Sequence, residues 1–239
     1  MDEHGFTADV GDLHGFGTWF RESEDIVEVI GYFAGHDGAG AVGADCAPLR
    51  PIATAMPELA DLVAAAFTEL RARMLEFGSA VCAAAAEYAE VTGLPYRDEI
   101  DVWPPRITVP GVPDVPVADL VPRQQTNALS WFWAHFAAGE SLAHDLCAPV
   151  RGDFDQVRAN GLAWQATAAM LSELGVNMDV NARKLAGGTA CVVADQVRCA
   201  VTQRWLPTLT AMREICQLVG LVSTLPSTVT HTTLVAAVR

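Results

Sequence analysis

Residues 153–185, DFDQVRANGLAWQATAAMLSELGVNMDVNARKL, carry large apolar side chains at regular intervals of seven residues. The members of this row are Val157, Trp164, Leu171, Met178 and Leu185. Spacing by seven places side chains on the same side of an α-helix, as in helices that pack along another helix. The row therefore predicts a long helix over 153–185 whose buried side faces a second helix.

Similar rows predict a pair of helices in the first part of the chain. One helix is expected over 9–34 and a longer one over 56–92, with Pro57 as a first-turn residue. Two apolar rows half a heptad apart run along the 56–92 helix, which is the pattern of a coiled-coil seam. The rows predict that the following side chains are buried: Phe67, Met74 and Val81.

A partner for the 153–185 helix is expected over 190–222. Its first row is Ala194, Val201, Thr208, Ile215 and Val222. Its second row begins at Trp205, which is predicted to lie in the bundle core. The short stretch Ala186-Gly187-Gly188 is predicted to be the hairpin turn, with Gly187 and Gly188 at its centre. Two helices joined by so short a turn must run antiparallel.

These patterns together predict an all-α fold, an elongated bundle of two long antiparallel helical hairpins joined by a proline-rich connector. The connector cannot be helical throughout because proline lacks a backbone N–H and clashes with the preceding turn. The predicted division is an acidic hairpin over 1–92, a connector with short helices over 93–152, a hairpin over 153–222 and a tail over 223–239. We expect these parts to pack as one structural unit.

The net charge of −14 is placed unevenly along the chain. Residues 1–101 hold 19 acidic residues and five arginines, whereas residues 102–239 are balanced. An acidic half argues against nucleic-acid binding, which needs basic surface for the phosphates. The acidic surface serves solubility or steers a basic protein partner, and the sequence leaves both possibilities open.

The sequence contains no clear catalytic, cofactor-binding or metal-binding pattern. The six cysteines form no Cys-x-x-Cys pair, and four lie in apolar helical runs, which favours reduced buried thiols over a disulfide or zinc framework. His135, Glu140 and His144 lack the repeated Glu-x-x-His that a di-metal site in a bundle requires. No Gly-x-Ser-x-Gly elbow occurs. We therefore predict no enzyme activity, no cofactor and no metal site.

The chain resembles the Esx/WXG-type proteins of actinobacterial type VII secretion, and in particular their tandem helical-hairpin forms and toxin-leading domains. The resemblance covers about residues 6–222. It rests on the glycine-rich loop and alanine-rich helix of AVGADCAPLRPIATAMPELADLVAAAFTELRARMLEFGSAVCAAAAEYAEV, on GDFDQVRANGLAWQATAAMLSELG and on QRWLPTLTAM. No tryptophan is followed two residues later by glycine, and Thr92 stands where the family's export signature after Tyr88 has an acid.

The resemblance implies a non-enzymatic, secretion-associated protein that is cytoplasmic before export. Export to the medium or cell surface would occur without a cleaved leader, and no transmembrane segment is expected. The implied partners are secretion machinery, Esx-like proteins or a second copy of the chain. An aromatic ring beside carboxylates makes the end of the first hairpin the candidate recognition signal: Tyr88, Glu90, Asp98 and Glu99.

Two other hypotheses remain open at this point. The chain could be a helical adaptor that is unrelated to secretion and binds another protein through its acidic half. It could also be an enzyme that uses a pocket of the connector near His135 and His144.

Trp164 is predicted to be an internal anchor for the facing helix rather than an exposed docking residue.

Overall fold

The computed structural model of the chain describes residues 10–38, 50–93, 154–188 and 192–237. The helices are α1 (Val10–His36), α2 (Arg50–Thr92), α3 (Phe154–Gly188), α4 (Val192–Ala200) and α5 (Leu206–Ala237). A π-helical turn, Val201–Trp205, joins α4 to α5 without a break in the helical backbone. The described residues contain no β-strand, which confirms the all-α prediction for this part of the chain.

Several helix ends differ from the predicted ends, and proline or glycine is involved in each case. Helix α2 begins at Arg50, so Pro57 lies inside the helix and not in its first turn. Helix α3 continues through Gly187 and Gly188, which are its last residues. Helix α5 continues to Ala237, past the predicted end at 222. An interior proline removes one hydrogen bond and an interior glycine costs about 1 kcal/mol, and neither must end a long helix.

The predicted end of α2 at 92 agrees with the structure. Gly93 has a φ angle of 64°, in the left-handed region that favours glycine. A residue in this conformation turns the chain away from the helix axis. The helix therefore ends at Thr92 because the next residue can adopt a backbone angle that other residues rarely tolerate.

The chain divides into two compact units, each assembled from segments of several helices. Among the described residues, the first unit contains 10–31, 66–93, 169–188 and 192–214. The second contains 32–38, 50–65, 154–168 and 215–237. The connector beyond Gly93 lies outside the described residues, so the predicted division at 92, 152 and 222 stays a prediction.

Within the first unit, α1 and α2 contact each other at several points. Contacts that lie later in α1 are made to residues that lie earlier in α2. Cys82 contacts the carbonyl oxygen of His14 at 3.6 Å, and Arg71 pairs with Glu24. A Cβ atom built on Gly31 would lie 2.8 Å from the Cβ of Phe67. These contacts indicate opposite helix directions over this segment of the unit.

Each unit also contains one crossing at which two glycines face each other. In the first unit, a Cβ on Gly17 would lie 2.8 Å from the carbonyl oxygen of Gly78, and a Cβ on Gly78 would lie 2.6 Å from that of Gly17. In the second unit, a Cβ on Gly161 would lie 2.9 Å from the oxygen of Gly220, and the reverse distance is 2.8 Å. Side chains larger than hydrogen cannot fit between backbones this close, so glycine permits both crossings.

The apolar row of α3 and the central part of one α2 row are buried in the structure. All five members of the α3 row are buried, and Trp164 has no exposed surface. On α2 the three central row members Phe67, Met74 and Val81 are buried as well. Helix α3 therefore turns its row inward along its described length. The other row of α2 is only half-buried at Phe77, and its last member, Val91, is 85% exposed.

The row predicted for the last helix is interrupted at the π-helical turn. Ala194 and Val201 are buried, but Thr208, Ile215 and Val222 are exposed. The buried positions after the turn each lie one residue later: Leu209, Cys216 and Ser223. A π-helical turn holds about one residue more than an α-helical turn. The residues after it are therefore rotated about the helix axis relative to a regular α-helix. The predicted row is therefore wrong beyond Val201.

The sequence provides a physical cause for this π-helical turn. The backbone N–H of Leu206 donates to the carbonyl oxygen of Val201, five residues earlier. Pro207 follows at once, and a proline has no N–H and its ring clashes with the carbonyl four residues before it. Widening the preceding turn relieves this clash, so the helix continues instead of ending.

Candidate functional site

The predicted recognition signal lies at the end of α2 and is only partly within the described residues. Tyr88 is half-buried, and its carbonyl oxygen accepts a hydrogen bond of 2.7 Å from the hydroxyl of Thr92. Glu90 is exposed, and the neighbouring Val91 is 85% exposed. Asp98 and Glu99 lie outside the described residues. The structure therefore places Tyr88 and Glu90 in the final turns of one helix, with an accessible carboxylate.

Trp164 is held in the second unit by a long-range hydrogen bond. Its indole N–H donates to the carbonyl oxygen of Gly38 at 2.7 Å, just past the end of α1. Gly38 is required at this position because a Cβ there would lie 2.9 Å from the indole ring. The bond satisfies a polar group that would otherwise be buried at a cost. No local sequence pattern pairs these two residues, which are far apart in the chain.

A cluster of five aromatic rings lies in the first unit, centred on Phe20. The ring of Phe20 lies 4.9 Å from that of Phe77 and 5.0 Å from that of Trp205, both in edge-to-face geometry. Phe16 and Trp19 pack against Phe20 from within α1. Trp205, the last residue of the π-helical turn, is half-buried and not fully buried as the core prediction expects. Edge-to-face pairs add to the stability that burial provides, so the cluster ties α1, α2 and the turn together.

Arg71 forms an ion-pair cluster with two carboxylates of α1 in the first unit. It pairs with Glu24 and, at 2.8 Å, with Glu28. The hydrogen bond from Arg71 lowers the pKa of Glu24, and the same bond raises the pKa of Arg71. Arg73 instead pairs with Glu69 and Glu76 of its own helix. Only the first of these two arginines therefore links separate helices.

The described cysteines are free, but they differ in exposure from one another. Cys216 is buried, and burial raises the pKa of its thiol to about 12. Cys82 is half-buried and Cys199 is exposed, so the expectation of buried thiols fails at Cys199. Cysteines 46, 147 and 191 lie outside the described residues.

Helix α5 carries an exposed apolar surface in the second unit, which we call the outer face of α5. It consists of Ile215, Leu218, Leu221 and Val222, each about half exposed. Gly220 faces α3, because a Cβ on it would touch Gly161 and Gln165. Leu218 and Val222 lie two residues on either side of Gly220, so each is rotated from it by about 200°. They point away from α3.

The sequence pattern alone hides this face. Its members Ile215 and Val222 belong to the row that periodicity assigns to the bundle core. The π-helical turn rotates them outward and turns Cys216 and Ser223 inward. Pro207 is the sequence feature that could have indicated the change, because a proline inside a helical pattern often marks an irregular turn.

The described part of the chain holds neither a cluster of metal ligands nor a membrane-spanning helix. Among these residues, no group of three or more His, Cys, Asp and Glu side chains is arranged to hold a metal ion. None of the described helices combines the length and apolar content needed to cross a lipid bilayer. His135, Glu140 and His144 lie outside the described residues.

Comparisons with known proteins gave no relative for this chain. No family model matches the sequence, and no curated protein or solved structure matches it either.

Proposed function

We propose that this chain is a non-enzymatic helical protein of a type VII secretion system, which acts by packing and protein contact. Its role would be that of an exported substrate, a toxin-leading domain or a secretion partner. In this proposal the chain forms two antiparallel helical hairpins joined by the proline-rich connector, so that one chain supplies both hairpins. The proposal rests on the sequence resemblance to Esx/WXG-type proteins.

One structural observation supports the tandem-hairpin arrangement. Each half of the sequence contributes its own crossing of two long helices at facing glycines, Gly17 with Gly78 and Gly161 with Gly220. Two hairpins of similar construction would each contain such a crossing at facing glycines. The opposite directions of α1 and α2 at their contacts agree with the first hairpin.

The candidate recognition signal for export is the end of α2. Glu90 offers an exposed carboxylate there, and Tyr88 provides a half-buried ring one turn away from the helix end. A secretion component that recognises a short signal would use the ring as an anchor and the carboxylate for orientation. Asp98 and Glu99 complete the proposed signal in the sequence.

The experiment is to express the chain in a host with a type VII system and measure it in the culture filtrate. Export should require the functional secretion ATPase. The double variant Glu90→Ala/Asp98→Ala should lose export, and Tyr88→Phe tests whether the hydroxyl contributes beyond the ring. Because Glu90 is exposed, removing its carboxylate should leave thermal stability nearly unchanged.

Glu22→Ala/Asp25→Ala is the matched control, since it removes one glutamate and one aspartate from exposed positions of α1. It should export like the parent protein. ATPase-independent appearance in the medium would refute secretion by this route. Normal export of the Glu90/Asp98 variant would refute the end of α2 as the signal while leaving the route intact.

A helical adaptor that is unrelated to secretion is the second candidate function. The acidic half favours it, because exposed carboxylates such as Glu22, Asp25 and Asp61 suit contact with a basic protein that needs no export signal. Retention of the chain inside host cells that have an intact secretion ATPase would support this candidate over the first.

A further inference from the structure

The outer face of α5 is the part of the described surface where large apolar side chains cluster most densely along one helix. Ile215, Leu218 and Val222 follow the spacing i, i+3, i+7, so they form a continuous stripe over two turns. Leu221 flanks the stripe. The stripe is turned outward by the π-helical turn and points away from α3 at Gly220. The described helices of the second unit therefore leave it uncovered.

Charge decides what kind of partner fits this face. The net charge of −14 is carried by residues 1–101, so two copies repel each other where these acidic halves approach. From Ile215 to Val238 the sequence contains no Asp, Glu, Lys or Arg. The outer face of α5 thus lies in the segment where two copies can approach with the least like-charge repulsion.

Area sets the strength of such a contact. The exposed parts of the four side chains amount to roughly 400 Å² of apolar surface, a size that often marks a functional patch. A stable interface buries about 800 Å² on each partner. The face supplies about half of this area, and the polar side chains beside it would add the rest of a modest interface, which suits a reversible pair.

We infer that the outer face of α5 is a homodimer contact, in which α5 of one copy packs on α5 of a second copy about a two-fold axis. An uncharged apolar stripe is complementary to itself, as a two-fold interface requires. Leu218 lies near the centre of the stripe and is 61% exposed. This inference goes beyond the proposed function, and a failed dimerisation test would leave the export experiment unaffected.

The test is sedimentation equilibrium of the full chain at concentrations from about 5 to 500 µM, a range that detects weak association. The parent protein should form a dimer at the upper end of this range. Leu218→Glu places a charge at the centre of the contact and should weaken dimerisation by at least tenfold. Circular dichroism should show that the Leu218→Glu variant keeps the helix content of the parent, because Leu218 is exposed.

The matched control is Leu62→Glu, the same substitution at a residue of α2 that is 69% exposed and lies outside the outer face. It changes the net charge equally, and its dimerisation should stay within about twofold of the parent. A Leu218→Gln variant separates apolar contact from added charge and should also weaken the dimer. Equal weakening by the Leu218→Glu and Leu62→Glu variants would overturn the inference, as would a parent protein that stays monomeric.

Salt provides an independent readout of the same contact. Raising NaCl from about 0.05 to 0.5 M screens the repulsion between the two acidic chains and should strengthen dimerisation several-fold. Contact between oppositely charged surfaces would give the reverse trend. Dimerisation that weakens with salt would therefore contradict a contact through the uncharged face of α5.

Discussion

The indole N–H of Trp164 donates a 2.7 Å hydrogen bond to the carbonyl oxygen of Gly38, across 126 residues of sequence. The bond joins a residue in the first half of α3 to the turn that follows α1. Both residues belong to the second unit. Trp164 has no exposed surface, so its polar atom depends on this one carbonyl. The residue thus combines a large apolar ring with a specific polar contact.

Trp164→Phe should lower the free energy of unfolding by about 2–3 kcal/mol, because it leaves the carbonyl of Gly38 without this donor and removes ring volume. Urea unfolding followed by far-ultraviolet circular dichroism measures the change. Trp205→Phe is the control, since Trp205 is half-buried, and its loss should be about 1 kcal/mol. Equal losses of unfolding free energy in the two variants would show that the hydrogen bond does not contribute to stability.

Gly17→Ala should destabilise the protein by about 3 kcal/mol, the upper end of the cost of overpacking. The added methyl group would meet the carbonyl oxygen of Gly78, and a backbone atom cannot rotate away as a side chain does. Gly35→Ala is the control within the same helix, where a Cβ meets nothing within 4 Å. It should stabilise the protein by about 0.5–1 kcal/mol through helix propensity. A harmless Gly17→Ala would mean that the crossing is looser than described.

Arg71→Met should reduce thermal stability at neutral pH and make no difference in acid. The pKa of Glu24 lies below its usual value of 4.5 in the folded protein. The stabilisation is therefore complete above the unfolded pKa and is lost as pH falls through the lowered folded pKa. Thermal melts of the parent and the variant should differ at pH 7 and converge as the pH falls below 4.5 and through the lowered pKa of Glu24.

Arg73→Met is the control for this prediction, because Arg73 pairs only with carboxylates of its own helix among the ion pairs described. Exposed pairs within one helix contribute little to stability. The control should therefore follow the parent at every pH. A gap between parent and Arg71→Met that stays constant as the acid is increased and Glu24 becomes protonated would point to lost packing of the arginine stem instead of the ion pair.

Cys216 should be unreactive toward a thiol reagent such as dithionitrobenzoate at pH 8 while the protein is folded. Burial raises its pKa to about 12, so almost no thiolate is present, and the reagent cannot reach it. Cys199→Ser should remove one rapidly reacting thiol, because Cys199 is exposed. Cys216→Ser should change the count only in urea. Rapid loss of a thiol on Cys216→Ser would place Cys216 at the surface.

The helices of the described region were predictable because each apolar row is a property of one helix by itself. Val157 and Leu171 share a side of α3 through spacing alone, and their burial needs no knowledge of the partner. Contacts between helices were not predictable in this way. Nothing near Arg71 indicates that it pairs with Glu24 of another helix while Arg73, two residues later, does not. Such choices depend on how the helices are rotated about their axes.

The candidate site shows the same limit of sequence patterns. Tyr88 and Glu90 could be placed near a helix end because glycine follows at position 93. Their pairing with Asp98 and Glu99 depends on chain beyond that glycine, where no helical periodicity guides prediction. The outer face of α5 was missed because a constant interval of seven was extended across Pro207.

The π-helical turn at Val201–Trp205 has a consequence for how relatives of this chain should be recognised. Geometrically, the turn is equivalent to one residue inserted into a regular α-helix. A relative without a proline at the position of Pro207 would restore its buried row by deleting one residue in this stretch. An alignment with a single gap between positions 201 and 207 would then match buried with buried positions on both sides. An ungapped alignment would pair Ile215 with a core residue and understate the similarity of the two chains.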